Sequence, residues 1–181
     1  MLIDLHALPG GANTDAHSGS CTGKAELWGK KKHLELTKSV LHKIATDVRD
    51  LPGVIGIQVV NEAVYDAKHM YEFYSQAIDT IGAVDSGMPV YISDGWDLNR
   101  ALGWTNERKG GNPVVVDTHR YFTFSDKDRS QSPQEIIGRI GGELGELDGK
   151  EGSLCDRGEA CCVVGEWYFP FQPDPISCIN H

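Results

Sequence analysis

Short apolar runs alternate along this chain with longer stretches whose hydrophobic residues recur every three or four positions. LIDLH, residues 2–6, reads as a strand, followed by a Gly-, Asn- and Ser-rich loop over residues 9–23. Leu34, Leu41, Ile44, Ala45 and Val48 then return at helical spacing. LPG at 51–53 is a turn, and residues 54–60 are the next strand. Met70, Phe73, Tyr74, Ala77, Ile78 and Ile81 predict a second amphipathic helix. PVYIS from 89 and PVVVDTH from 113 are two more buried strands. SPQE at 132–135 is a capping box with Pro133 at the first helical position. Ile136, Ile137, Ile140, Leu144 and Leu147 give that helix an apolar face, and residues 161–165 form the last strand.

Strands that are apolar throughout and alternate with helices indicate a parallel sheet covered on both faces, or a barrel. Polar residues stand where the strands end: His6, Asn61 and Glu62, Asp94, His119 and Tyr121, and Glu166. An open doubly wound sheet uses only the strand ends near its switch point, whereas a (β/α)8 barrel uses the whole rim. The pattern therefore favours a barrel. It supplies five strands of the eight, so the barrel is expected to be incomplete.

At 181 residues the chain is one domain with a substantial core. Its net charge of −9 argues against a nucleic-acid partner, which needs a basic footprint, and no apolar run reaches the roughly 18 residues of a membrane span. Five cysteines are an odd count in a chain too long for a disulfide scaffold, and adjacent Cys161 and Cys162 should face opposite sides of their strand. There is no Asn-x-Ser/Thr acceptor, and no leader pattern precedes LIDLH. Composition leaves the compartment and the oligomeric state open.

The chemistry gathers at two acids. VVNEA and VVGEW each run from β-branched residues into a glutamate, Glu62 and Glu166. A buried strand has no use for a carboxylate at its tip unless the tip does something. Two carboxylates across a cleft are the equipment of glycoside hydrolysis, one protonating the leaving oxygen and the other attacking the anomeric carbon or activating water. Asn61 beside Glu62 could hydrogen-bond a sugar hydroxyl. The plainer alternative is that each Glu caps a helix or joins a surface ion pair.

DTHRY places Asp117, His119 and Tyr121 on one strand face by period-two alternation. His119 and Tyr121 could bind sugar hydroxyls and tune a neighbouring carboxylate. DLH and DTH could instead supply metal ligands, although no HxH or HExxH accompanies them. His6 could equally be a buried histidine satisfied by backbone. Trp96, Trp104, Phe122, Phe124, Trp167 and Tyr168 lie in or beside strand ends, where sugar rings could stack on them.

Taken together, DLHALPGG, VVNEA, YISDGWD, DTHRYF and VGEW make the chain resemble glycoside hydrolase family 5, of the fungal exo-β-1,3-glucanase (glucan 1,3-β-glucosidase) type. The resemblance runs over nearly the whole chain and implies an α/β fold covering roughly strands three to seven of a (β/α)8 TIM barrel. It implies retaining hydrolysis of β-glucosidic bonds in a β-glucan or β-glucoside, without cofactor or metal. Glu62 matches the acid/base and Glu166 the nucleophile. His6, Asn61, His119 and Tyr121 match residues around the cleaved glucose, Phe124 resembles an aromatic at the cleft entrance, and Trp96 joins the substrate-binding set. Residues 1–181 are then one partial catalytic domain with an atypical tail over 170–181. An extracellular or cell-wall location follows from the family alone. The counterparts of the family's strand-two arginine and of its tryptophan after strand eight are missing. Two alternatives stay open: a carbohydrate-binding remnant without hydrolysis, and a β-1,4-glucanase or other β-glucosidase of the same family.

Overall fold

Five parallel strands form a single sheet whose spatial order follows the chain, in a computed structural model that describes residues 1–147 and 160–168. They are β1 (Leu2–Asp4), β2 (Gly56–Gln58), β3 (Val90–Ser93), β4 (Val114–Tyr121) and β5 (Cys161–Tyr168). Helices α1 (Lys31–Val48), α2 (Met70–Gly82) and α3 (Leu98–Glu107) fill the first three crossovers. The fourth holds α4 (Asp126–Ser130) and α5 (Pro133–Glu143). Parallel neighbours in chain order are what successive βαβ units generate, each adding its strand on the same side. The result is the expected partial barrel, five strands with their helices.

The core lies between the sheet and its helices. Leu41, Ala45 and Val48 of α1 and Phe73, Ala77, Ile78 and Ile81 of α2 are buried, as are Ile57, Val90, Ile92, Val114 and Val116 of the strands. Tyr74 is wholly buried and donates its hydroxyl proton to the Ser93 carbonyl at 3.1 Å, so its polar tip is satisfied. Phe73 packs against both Trp28 and Tyr74. Phe73→Ala should therefore cost about 3–5 kcal/mol of stability, read as a lower denaturant midpoint at unchanged slope.

Several element ends differ from the pattern. Residues 2–6 yield a strand only to Asp4, although the Leu5 amide still bonds to the Gln58 carbonyl at 3.0 Å. Residues 54–60 shrink to Gly56–Gln58, because the chain leaves the ladder once Val59 has bonded to Tyr91. The last strand runs on past 165 to Tyr168. Helix α3 is not marked by the apolar pattern, yet its Leu98, Ala101, Leu102 and Thr105 are buried at helical spacing and Asp97 caps it through the Arg100 amide. Helix α4 carries no apolar stripe to read, only the Ser125–Asp128 capping box. The SPQE capping box is present at α5, with Pro133 in its first turn. That helix ends at Glu143, however, and Ile137 faces solvent, because it lies about 100° around the axis from buried Ile136. Cys161 is buried and Cys162 half-buried, as opposite faces of a strand allow. The atypical tail over 170–181 lies outside the described residues.

The loop over residues 9–23 is tightly folded. It contains a 3-10 turn, Ala16–Ser18, closed by Gly19 at φ 92°. A Cβ at Gly19 would stand 2.3 Å from the Leu8 carbonyl oxygen, so both the backbone sign and the space demand glycine. Trp28 pins the loop from below, its indole N–H donating to the Ala12 carbonyl at 2.8 Å.

Candidate active site

A bulge decides where Glu166 points. Thr118 pairs with Val164, but the next residue, His119, pairs with Glu166, so Gly165 is an extra residue in β5. Val164 and Trp167 both face the groove against α5, lined also by Ile140 and Leu144. Strict alternation would have sent Glu166 to that same outer face. The extra residue turns it inward, beside His119 and Tyr121. The same inward row carries Asp117, whose side chain meets His119.

Glu62 arrives from the turn after β2. Its backbone is left-handed, φ 45°, which costs a non-glycine residue about 1–3 kcal/mol. Asn13 holds the strained turn by donating its side-chain N–H to the Glu62 carbonyl at 2.9 Å, and the Ala63 amide donates to Ser93 Oγ at 3.1 Å. Trp96 is held likewise at φ 66°, its amide donating to Asp94 Oδ1 at 2.8 Å. Asp94 in turn accepts from Thr118 Oγ1 at 2.6 Å. Two strained turns thus flank the same cleft.

The two acids meet there. One oxygen of Glu62, one of Glu166 and a ring nitrogen of His119 lie within 4.8 Å of one another. The Tyr121 hydroxyl is 2.9 Å from Glu62 Oε1 and 2.5 Å from Glu166 Oε1. His119 Nδ1 donates to Glu62 Oε1 at 2.9 Å, and its Nε2 donates to Asp117 Oδ2 at 3.1 Å. These bonds leave Glu62 Oε2 free of Tyr121 and His119. Glu62 is mostly buried, its side chain 11% exposed, whereas Glu166 is 49% exposed.

The charges follow from these contacts. Burial pushes the His119 imidazole down, but its bonds to Asp117 and Glu62 and their negative charges outweigh this and raise it to about 10. His119 is therefore an imidazolium at neutral pH. Its hydrogen bond holds Glu62 below the usual carboxylate range, against the opposing effect of burial. Burial, with the bonds to Glu166 and Glu62, raises the Tyr121 phenol far above its ordinary value, so it remains a donor.

The cleft has a volume of about 580 Å³ and is lined by His6, Asp15, His17, Glu62, Trp96, Tyr121, Phe124 and Glu166. Six of those eight were expected from strand ends and motifs. Asp15 and His17 were not, because they come from the loop over residues 9–23, which shows no periodicity. His17 Nε2 stands 3.7 Å from Glu62 Oε2, and His17 Nδ1 stands 3.3 Å from His6 Nε2. His6 also pairs with Asp4 at 2.7 Å and is half exposed, so the buried-histidine alternative does not hold for it. Asn61 is buried and sits 3.4 Å from His6 Nε2, one step behind the cleft wall.

Of the six aromatics expected at the rim, Trp96 and Phe124 line the cleft. Trp104 instead stacks on Tyr71 of α2, Phe122 is buried under Arg139, and Trp167 faces α5 because the bulge keeps it outward. Glu62, His119 and Glu166 are also the group of donors among the described residues close enough to share a cation. The His119 nitrogen bonded to Glu62 would have to give up its proton to join such a group.

No protein-family model matches the chain. Relatives do. Over 141 residues it is 44% identical to an uncharacterized glycosyl hydrolase of Saccharomyces cerevisiae, covering 76% of this chain and 28% of that protein. Over 170 residues it is 35% identical to glucan 1,3-beta-glucosidase 3 of Schizosaccharomyces pombe, covering 92% of this chain and 34% of that one. The chain thus spans about a third of the length of these curated relatives. The crystal structure of AoRut superposes with TM-score 0.71 at 18% identity, over 92% of this chain and 47% of that one. The Pseudomonas stutzeri endoglucanase Cel5A superposes with TM-score 0.60 at 20% identity, over 96% and 52%. These two likenesses concern the fold alone, of which this chain holds a partial (β/α)8 barrel. Its sequence relatives at 44% and 35% identity are thus glycosyl hydrolases, one of them named a glucan 1,3-beta-glucosidase, and the chain is similar to about a third of each.

Proposed function

We propose that this site hydrolyses β-glucosidic bonds with retention of configuration, Glu166 acting as nucleophile and Glu62 as acid/base. The observation that carries the reading is the pair of carboxylates whose oxygens approach within 4.8 Å across one tyrosine hydroxyl. That closeness suits direct attack by one carboxylate, as in retaining enzymes whose carboxyl groups stand about 5–5.5 Å apart, better than the roughly 6.5–9.5 Å of inverting ones.

The roles divide by environment. Glu166 is the more exposed acid, and the Tyr121 hydroxyl orients it toward an anomeric carbon in the cleft. Glu62 keeps Oε2 free to pass a proton to the glycosidic oxygen. Water excluded by a bound sugar disfavours the charged carboxylate and so favours the proton on Glu62 for that step. Once the glycosyl ester on Glu166 has formed, the His119 cation stabilises Glu62 as carboxylate, ready to take a proton from the attacking water. Trp96 and Phe124 offer ring faces to the sugar, and His6 and His17 offer polar atoms.

A β-1,3-glucan as substrate is proposed from the named activity of the relative, and exo action from the resemblance of the motifs to the fungal exo-β-1,3-glucanases. The test is turnover of an aryl β-glucoside followed by NMR. Release of the aryl alcohol with the β-anomer formed first supports the reading. An α-anomer would mean inversion, and sugar binding without release would mean a carbohydrate-binding remnant.

A further inference from the structure

Asp117 is a carboxyl that the proposed reaction does not touch. It is 2% exposed, on the inward row of β4, and its two oxygens gather donors from three strands. Gln58 Nε2 of β2 donates to Oδ2 at 2.6 Å, reaching past β3 to do so. His119 Nε2 donates to the same oxygen at 3.1 Å, and the Gly165 amide of β5 donates to Oδ1 at 2.8 Å. A buried carboxyl stabilises a fold less well than an apolar residue of similar size.

What Asp117 touches explains its presence. By occupying His119 Nε2 it fixes the ring so that Nδ1 points at Glu62 Oε1. By accepting from Gly165 it pins the extra residue that turns Glu166 inward. The fit is close, since a Cβ at Gly165 would stand 2.2 Å from Asp117 Oδ1. We propose that Asp117 is a positioning residue that aligns both catalytic carboxylates at once, Glu62 through the His119 ring and Glu166 through the bulge at Gly165. The kinetic part of this inference rests on the glycosidase reading; the structural part does not.

The groups facing His119 are Asp117, Glu62, Glu166 at 3.8 Å, the Tyr121 hydroxyl at 3.5 Å and the edge of Trp96. Asp117→Asn keeps the size and removes the negative charge. An asparagine amide cannot replace the carboxylate: Oδ2 accepts from Gln58 and His119 and Oδ1 from the Gly165 amide, so in either orientation the NH2 group meets a donor.

The test uses ¹⁵N NMR of the full chain at pH 7–8. In the unsubstituted protein both ring nitrogens of His119 should carry protons. In Asp117→Asn, without that negative charge, the ring should be neutral and carry a single proton. Turnover of an activated aryl glucoside should fall about 10²-fold in kcat with KM little changed, as expected for misaligned reacting groups. Gly165→Ala gives the second arm, because its Cβ presses on the same carboxyl from β5. It should shift the His119 ring signals and lower kcat similarly. If His119 keeps both protons in Asp117→Asn and kcat is unchanged in both variants, the proposal is overturned. Should Asp117→Asn not fold, unshifted His119 signals in Gly165→Ala overturn it alone. A parent protein that releases no sugar overturns the glycosidase reading, while the NMR arm still decides whether Asp117 sets the His119 ring.

Discussion

Replacing Glu166 with alanine should bring hydrolysis to the uncatalysed background on every substrate, while Glu62→Ala should divide substrates by leaving group. Without Glu166 no glycosyl ester forms, and no quality of leaving group repairs that. Without Glu62 the departing oxygen receives no proton, which matters for a sugar alkoxide and little for a nitrophenolate. Glucan hydrolysis should therefore fall about 10²–10⁴-fold in Glu62→Ala, while ester formation from an activated aryl glucoside is nearly kept. Azide separates the two further. In Glu62→Ala it can attack the ester on Glu166 without a base and should give a β-glucosyl azide. In Glu166→Ala no such product with the β configuration should appear. The exposures agree with this division, since Glu166 at 49% can be reached by a ring in the cleft and Glu62 at 11% works through one oxygen. Equal behaviour of the two variants across leaving groups would sink the assignment of roles.

The architecture was legible because parallel strands buried on both faces leave continuous apolar runs, and a rim leaves polar residues at their ends. Glu62, His119, Tyr121 and Glu166 were all found by that one signal. What stayed hidden has physical reasons. The alternation rule places Asp117, His119 and Tyr121 on one face correctly, but the same rule misplaces Glu166, because one inserted glycine shifts the phase of β5. Gly165 between two valines and a glutamate was the available clue, since glycine inside a strand often marks a bulge. His17 and Asp15 gave no clue at all. Their place in the cleft depends on how the loop over residues 9–23 turns back at Gly19, and loop folding carries no period. The aromatics failed for a related reason. Trp104 lies inside α3 and packs within the helix layer, and Trp167 lies inside β5, where the bulge leaves it on the outer face.

The centre of the site should also make stability depend on pH. In the folded protein His119 titrates near 10, against about 6.5 in an unfolded chain. Between those values the folded state holds a proton that the unfolded state releases. The stabilisation is therefore complete below about pH 6.5, declines as pH rises and is gone above about pH 10. With the side chain only 7% exposed, the loss should be on the order of a few kcal/mol. Glu62 adds the opposite limb. Its lowered value means stability that is present above the ordinary glutamate range and lost as pH falls through the folded value. The His119–Glu62 bond enters both shifts and counts once, while Asp117 adds to the His119 shift alone. Tyrosine ionisation is separable, because the raised phenols of Tyr71, Tyr74 and Tyr121 weaken the fold only from about pH 10 upward. The expected observation is a melting temperature that falls steadily from pH 6.5 to 9.5. In His119→Gln, which keeps polar contacts but cannot titrate, the curve should be lower at pH 6 and nearly flat over that range. A parent protein as stable at pH 9.5 as at pH 6.5 would mean that His119 is neutral, and the electrostatic pairing with Glu62 would have to be abandoned.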